Sequence, residues 1–334
     1  MSESGKVCAP VRAVALFSGG LDSQLAVCVV RAQGVEVHGV TFKSVFFGPG
    51  QAVRAARGLD LPLTVLDFNA TIIELIQRPK HGLGAGMNPC IDCHAAMIRQ
   101  AGRWMESNGF QFIITGEVAG ERPMSQGRRT LALVARESGY GQFVLRPLSA
   151  RLLPETEPER RGWVDRSKLL AIEGRSRKPQ VRLALEFGLR DYPQPAGGCL
   201  LTDPGYGARL RDLLAHEGPD MRLMALLRRG RHFRIGPVRL IVGRNESDNQ
   251  ALREAALASD TVLELADIAG PTALAVGLLD GGQTHIAAAL CARYGDGPRD
   301  RPARVRIASN GAVSTIEVMP AAPEQAESLR IQAG

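Results

Sequence analysis

The chain has 334 residues, enough for two compact domains, and its 45% hydrophobic and 22% charged residues are those of an ordinary soluble chain able to build a core. Aromatic residues make up only 5%, which argues against an RNA surface built on many stacked rings, while a net charge of +7 favours a polyanionic partner. The N-terminus lacks an apolar core with a cleavage site and no apolar stretch approaches the roughly 18 residues of a membrane span, so a cytoplasmic chain without a membrane partner is expected.

In chain order, residues 12–17 (RAVALF) read as a buried strand that runs into Ser18-Gly19-Gly20, and residues 21–32 read as a helix with Leu21, Leu25, Cys28 and Val29 on one face. Further strands are expected at 36–42, 63–68, 110–115 and 143–145, with helices at 94–106 and 177–187. Alternating strands and helices with short apolar strands imply an α/β fold with a doubly wound parallel sheet, whose ligands bind outside the carboxyl ends of the strands. After about residue 227 the pattern changes. Strands are expected at 238–242 and 261–265, a helix at 249–258 and another at 287–294. Strands at 305–308 and 315–319 flank Asn310-Gly311, a strong hairpin signal. This reads as a smaller α+β domain at 229–322 behind a domain at 1–228, with a flexible tail at 323–334.

The first chemical motif is Ser18-Gly19-Gly20-Leu21-Asp22-Ser23, set between a strand and a helix. Its glycines let backbone N–H groups approach phosphate oxygens at the positive end of a helix. Asp22 can hold Mg²⁺, and the serine hydroxyls can bond phosphate oxygens. The motif lacks the Gly-Lys-Ser/Thr of the common NTPase loop. The plain alternative is a tight strand-to-helix turn capped by Ser18.

SGGLDS resembles the signature of the PP-loop ATP pyrophosphatases (adenine nucleotide alpha hydrolase-like fold), which split ATP to AMP and pyrophosphate while adenylating a carbonyl oxygen. Thr115-Gly116-Glu117 with Ser125-Gln126, and Leu145-Arg146-Pro147-Leu148, resemble segments of tRNA 4-thiouridine synthetases that line the nucleotide site and the route to the base. The resemblance implies ATP at Ser18, Gly19, Gly20, Asp22, Ser23, Phe42, Gly116 and Glu117, with Asp22 on the metal. It implies a tRNA sulfurtransferase acting on a uridine carbonyl, with 4-thiouridine favoured over 2-thiouridine or 2-thiocytidine. Two further alternatives are a PP-loop ligase that adds nitrogen and a non-enzymatic RNA-binding factor.

Cys90-Ile91-Asp92-Cys93 at a helix start puts two thiols on one side, and Cys199 follows in Ala196-Gly197-Gly198-Cys199. Cys199 lies where 4-thiouridine synthetases carry a sulfur-accepting cysteine. A cysteine pair with one later cysteine also resembles tRNA thiolases that use a [4Fe–4S] cluster, whose open iron would bind sulfide. The cluster on Cys90, Cys93 and Cys199 is favoured, with Cys199 catalytic. A persulfide on Cys199 comes next, then zinc completed by His94 or His81. Buried small side chains are the plain alternative. The sulfur would come from a cysteine desulfurase or free sulfide, and a homodimer is allowed. Cys28 and Cys291 read as core, and Cys8 as having no role.

Two arginine-rich stretches remain. Arg175, Arg177 and Lys178 form a basic turn suited to RNA phosphates, or a solvated helix start. Residues 222–244 hold seven arginines and no acid, from which Arg228, Arg229, Arg231 and Arg244 are candidate RNA contacts. With Gly243-Arg244-Asn245 and Gly270-Pro271, the C-terminal part resembles the RNA-binding domain of the NFACT group over about residues 233–307. Characterised 4-thiouridine synthetases carry an N-terminal RNA-binding region; none is expected here, and the C-terminal module is expected to replace it.

Overall fold

The computed structural model describes residues 10–122, 125–193 and 199–332. The chain divides into two compact units, Met1–Cys199 and Leu200–Gly334.

In the first unit, β1 (Arg12–Leu16) leads into α1 (Leu21–Arg31), followed by β2 (Glu36–Lys43), α2 (Gly50–Gly58), β3 (Leu63–Asp67) and α3 (Asn69–Gln77). Next come α4 (Cys90–Ser107), β4 (Phe112–Thr115), α5 (Arg128–Ser138), β5 (Val144–Leu145), the short α6 (Glu157–Arg160) and α7 (Lys178–Glu186). The five strands form one parallel sheet in the order β3-β2-β1-β4-β5. Ala13, Ala15, Phe112 and Ile114 from its centre pack with Leu25, Val29 and Leu145 in a continuous core. Winding reverses between β1 and β4, so the loops after these two strands border the crevice where such sheets bind ligands.

The second unit opens with α8 (Pro204–His216) and α9 (Met221–Leu226) and continues with β6 (Arg231–Ile235), β7 (Val238–Val242) and α10 (Glu246–Ala255). It then runs through β8 (Thr261–Leu265), β9 (Ala273–Ala275), α11 (Gly281–Arg293), β10 (Ala303–Ser309), β11 (Ala312–Val318) and α12 (Pro323–Ser328). Its antiparallel sheet has the order β11-β10-β8-β9-β7-β6, with α11 on the core face. Asn310 and Gly311 both take positive φ, 49° and 77°, and close the expected hairpin.

Three expectations about boundaries change. The division falls at residue 199 rather than 228, because Arg234 and Arg239 bond Asp212 and Glu217 around α8. The segment after residue 322 is not a loose tail: Ala326 enters the core, while Leu329 and Ile331 bond the β6 backbone. The two helices start earlier than expected because Asn245 and Asp280 accept from backbone N–H groups and cap them. Among the described residues, no helix is long and apolar enough to cross a membrane.

Candidate nucleotide and sulfur-transfer site

Strand register assembles the motifs. Leu16 pairs with Thr115 and Ile114 with Leu145, so the loops beginning at Phe17, Gly116 and Arg146 leave one edge of the sheet side by side. Gly19 has φ +77°, and a Cβ there would sit 2.6 Å from the Gln51 carbonyl oxygen. A Cβ on Gly116 would fall 2.5 Å from the backbone nitrogen of Ser23. The TGE loop therefore lies directly against the first turn of α1, and only glycine fits either place.

Gly20 caps α1 without a side-chain hydrogen bond, which leaves the first-turn N–H groups open to an anion. The Ser18 hydroxyl accepts from the Gly20 N–H at 3.3 Å and donates to Ser23 Oγ at 3.3 Å. Ser23 Oγ donates to the Gly20 carbonyl at 2.9 Å, and the Gln24 amide donates to the Gly19 carbonyl at 3.0 Å. The loop is thus held open by its own side chains.

Asp22 is buried enough that its carboxyl is pushed up from the usual range, with Arg177 and Arg122 pulling the other way. Its Oδ1 has no hydrogen-bond partner. Facing it from α7 is Gln180, fully buried, whose amide bears on the Asp22 carboxylate without closing a well-formed hydrogen bond and meets no other partner. Unpaired buried polar atoms are costly and call for a partner. A hydrated cation with attached phosphates would supply one, so the residues present fit Mg·ATP. Glu121 also faces Asp22, and burial together with that neighbour raises its carboxyl.

Glu117 is the centre of a closed ionic group. It accepts from Arg146 Nε at 2.9 Å and Thr115 Oγ1 at 3.1 Å, while His94 Nδ1 lies 3.4 Å away. Burial alone would raise its carboxyl, but Arg146 and His94 overcome this and hold it at about 2. The group ties the TGE loop, the LRPL segment and α4 together. Ser149 adds a second tie, accepting from the Ala119 N–H and donating to the Ile172 carbonyl, and the Gly174 N–H bonds the Ala119 carbonyl. This lacing sets the start of α7 over Asp22, and Arg177 comes with it. The structure therefore turns Arg177 toward the nucleotide loop, while Arg175 and Lys178 remain exposed.

The cysteines lie at the start of α4 and at the end of the unit. Asn88 donates from its side-chain amide to Cys90 Sγ at 3.1 Å. Cys93, one turn on, is half-buried. Burial, Cys199, Cys90 and Asp92 all hold its thiol well above the ordinary range. His81 Nδ1 is bonded to Asp92 at 2.5 Å and His94 Nδ1 lies 3.4 Å from Glu117, contacts that fix both rings. Among the described residues, no three His, Cys, Asp or Glu side chains form a set able to hold a metal. Cys199 and Cys90 both lie in electrostatic range of Cys93.

Other expectations resolve as follows. Phe42 is buried edge-to-face against Phe68, ring centroids 5.2 Å apart, so only its backbone can meet a nucleotide. Ser125 and Gln126 are buried beside the TGE loop, where the Gln126 carbonyl accepts from the Gly120 N–H. Cys291 is core and Cys28 half-buried, while Cys8 and residues 196–198 lie outside the described residues. Sequence reasoning missed Arg122, Gln180 and the Arg146–Glu117 pair, none of which is marked by a local pattern.

The seven-arginine run looks uncompensated only in sequence. Arg239 is wholly buried against Asp212, Glu217 and His232, and Arg234 joins the same acids. Arg222 pairs with Asp260, and Arg229 and Arg244 with Asp248 at 3.6 and 2.7 Å. Arg228 stays exposed and Arg231 half-buried.

Residues 9–151 match the family described as thiamine biosynthesis protein (ThiI), and residues 230–330 the NFACT protein RNA binding domain. The chain is 29% identical over 256 residues to a tRNA-specific 2-thiouridylase MnmA of Xanthobacter autotrophicus, covering 68% of this chain and 62% of that protein. It is 28% identical over 266 residues to the protein of the same name in Azorhizobium caulinodans, covering 71% and 64%. The chain thus spans less than two thirds of the length of these relatives. Among solved structures it is similar to a 4-thiouridine synthetase–RNA complex with bound ATP, 29% identical over 41% of this chain and 36% of that one, with a TM-score of 0.33.

Proposed function

We propose that this chain, which joins a PP-loop domain of the ThiI type to an NFACT-type RNA-binding domain, is an ATP-dependent tRNA sulfurtransferase. The observation that carries this reading is the strand register that brings SGGLDS, TGE and LRPL to one edge around Asp22 and Gln180. ATP places its phosphates on the open N-terminus of α1, between Ser18, Gly19, Gly20 and Ser23. Asp22 binds Mg²⁺, and Arg177 and Arg122 neutralise the departing pyrophosphate. Gly116 gives the nucleotide a close approach to α1, and Glu117 acts by keeping Arg146 and the loop in place.

A uridine oxygen attacks the α-phosphate, losing the ring N3 proton and releasing pyrophosphate. Sulfur delivered by an outside donor waits as a persulfide on Cys199. Its terminal sulfur attacks the activated carbon and AMP leaves. Cys93 then attacks the Cys199 sulfur, forming the Cys93–Cys199 disulfide, while the thiocarbonyl departs and the Cys93 proton ends on ring N3. An external thiol reduces the disulfide. The ThiI match favours C4 of uridine, and the 2-thiouridylase relatives favour C2 as a second reading.

The test is pyrophosphate release and nucleoside mass spectrometry on tRNA incubated with protein, ATP and a persulfide donor. Cys199→Ala should abolish thionucleoside and keep pyrophosphate release. Loss of both together would overturn the division of labour. 4-Thiouridine or 2-thiouridine in the digest decides between the two carbons.

A further inference from the structure

In the C-terminal unit Arg209 of α8 and Arg231 of β6 each lie in electrostatic range of Arg244, just after β7, and of Arg330, beyond α12. Residues 329–331 run along β6, with Phe233 bridging Arg330 and with the Arg234 and Ile331 N–H groups bonded across. Strand alternation puts Arg330 on the face that also carries Arg231. The Arg231 guanidinium lies 4.4 Å from the Tyr294 ring centroid and donates to the Gly243 carbonyl at 3.3 Å, next to Arg244. Arg244 in turn donates to the Arg228 carbonyl at 2.9 Å. Arg209 lies 5.9 Å from the Tyr206 ring centroid, and its buried Nε has no hydrogen-bond partner.

The nearby acids neutralise this group only in part. Asp248 is shared between Arg244 and Arg229, and Glu327 meets Arg330 at 3.6 Å. Asp203 lies in electrostatic range of Arg209. Burial lowers the proton affinity of Arg209 and Arg231, and Arg244 and Arg330 lower both further. Like charges held together at such a cost imply an anion that binds among them. A guanidinium stacked on a ring keeps its N–H edge free for two phosphate oxygens.

We propose that Arg209, Arg231, Arg244 and Arg330 form a phosphate cleft that grips the RNA backbone. The proposal rests on the reading of this unit as RNA-binding and adds to it residues from outside the arginine run. Arg209 also lies outside residues 230–330 of the family match. The neighbouring Arg234 and Arg239 serve the fold and take no part.

The test is the affinity of the full chain for a labelled tRNA transcript, without ATP, across a potassium chloride series. Arg231→Gln, Arg330→Gln and Arg209→Gln should each weaken binding roughly eightfold at about 0.1 M salt and lower the salt slope by about one. Arg231→Gln with Arg330→Gln should lower the slope by about two. Arg301→Gln, on a side chain 72% exposed, should leave both unchanged. Unaltered melting temperatures, and recovery of the slope in Arg231→Lys, separate lost contacts from lost structure. A double variant with the wild-type slope would overturn the cleft. Absence of any tRNA binding by the wild type would overturn the RNA-binding reading together with it, and pyrophosphate release by the same protein would still stand.

Discussion

The two units treat buried polar atoms in opposite ways. In the C-terminal unit the largest buried charge, Arg239, is met on every side by Asp212, Glu217, His232 and the Arg209 carbonyl. In the nucleotide unit a closed group around Glu117 stands beside an open one, where Asp22 Oδ1 has no partner and the buried Gln180 amide has only the Asp22 carboxylate to bear on. A closed group holds structure, because removing one member strands the others in a poor solvent for charge. An open group costs stability and points to a ligand that completes it. The same contrast recurs on a smaller scale in the C-terminal unit, where the unpaired Arg209 Nε borders the proposed phosphate cleft.

The largest expected effect comes from breaking the open group. Asp22→Asn should lower pyrophosphate release on the order of a thousandfold, since in the proposed site it removes the anionic ligand of Mg²⁺. Its effect on folding should run the other way. The folded carboxyl is raised by burial, so the ionised form is disfavoured in the fold at neutral pH and the neutral amide relieves that cost. A melting temperature that stays level or rises fits an open ligand site, and a drop of several degrees would make Asp22 structural.

Breaking the closed groups should do the reverse. Arg239→Met leaves Asp212 and Glu217 sharing Arg234, with His216 3.6 Å from Asp212, at a cost of about 4 kcal/mol of unfolding free energy. Pyrophosphate release per folded molecule should hold. Glu117→Gln strands Arg146 and should cost about 3 kcal/mol. Its acid dependence carries a definite sign. The folded carboxyl sits at about 2 against an ordinary 4.5, so its stabilisation is full above 4.5 and lost as pH falls from there toward 2. Urea unfolding across that range should be steeper in the wild type than in Glu117→Gln, and equal slopes would remove the Arg146–Glu117 pair from the account.

The division between closed and open groups was only half legible in the sequence. The five parallel strands and the SGGLDS turn could be read locally, because apolar runs and glycines act over a few residues. β9 has three residues, and β6 (RHFRI) alternates basic with apolar residues, so neither stands out from the chain around it. Register was not legible at all, and register is what sets Arg146 on Glu117 across 29 residues. The run at 222–244 misled for the same reason: its counter-charges Asp212, Glu217 and Asp260 lie outside it, on α8 and before β8. The C-x-x-C pair was found at the helix start as expected, but a third ligand cannot be brought into range by spacing alone.

The smallest expected effect is the most diagnostic of an open group. Gln180→Leu keeps the volume and removes a buried amide that has only the Asp22 carboxylate to bear on and closes no well-formed hydrogen bond. Where the amide is unsatisfied in the absence of ligand, its loss should stabilise the ligand-free protein by about 1 kcal/mol. Mg·ATP should then bind less tightly, by up to roughly tenfold, because an amide beside Asp22 no longer bonds the hydrated cation. Calorimetric titration of the manganese–ATP complex reads the second change without turnover, and a thermal melt of the ligand-free chain reads the first. A stabler protein with weakened binding identifies Gln180 as a positioning residue whose partner is the ligand. A less stable protein with unchanged binding would mean that its amide is satisfied within the fold, and the open group would shrink to Asp22 alone.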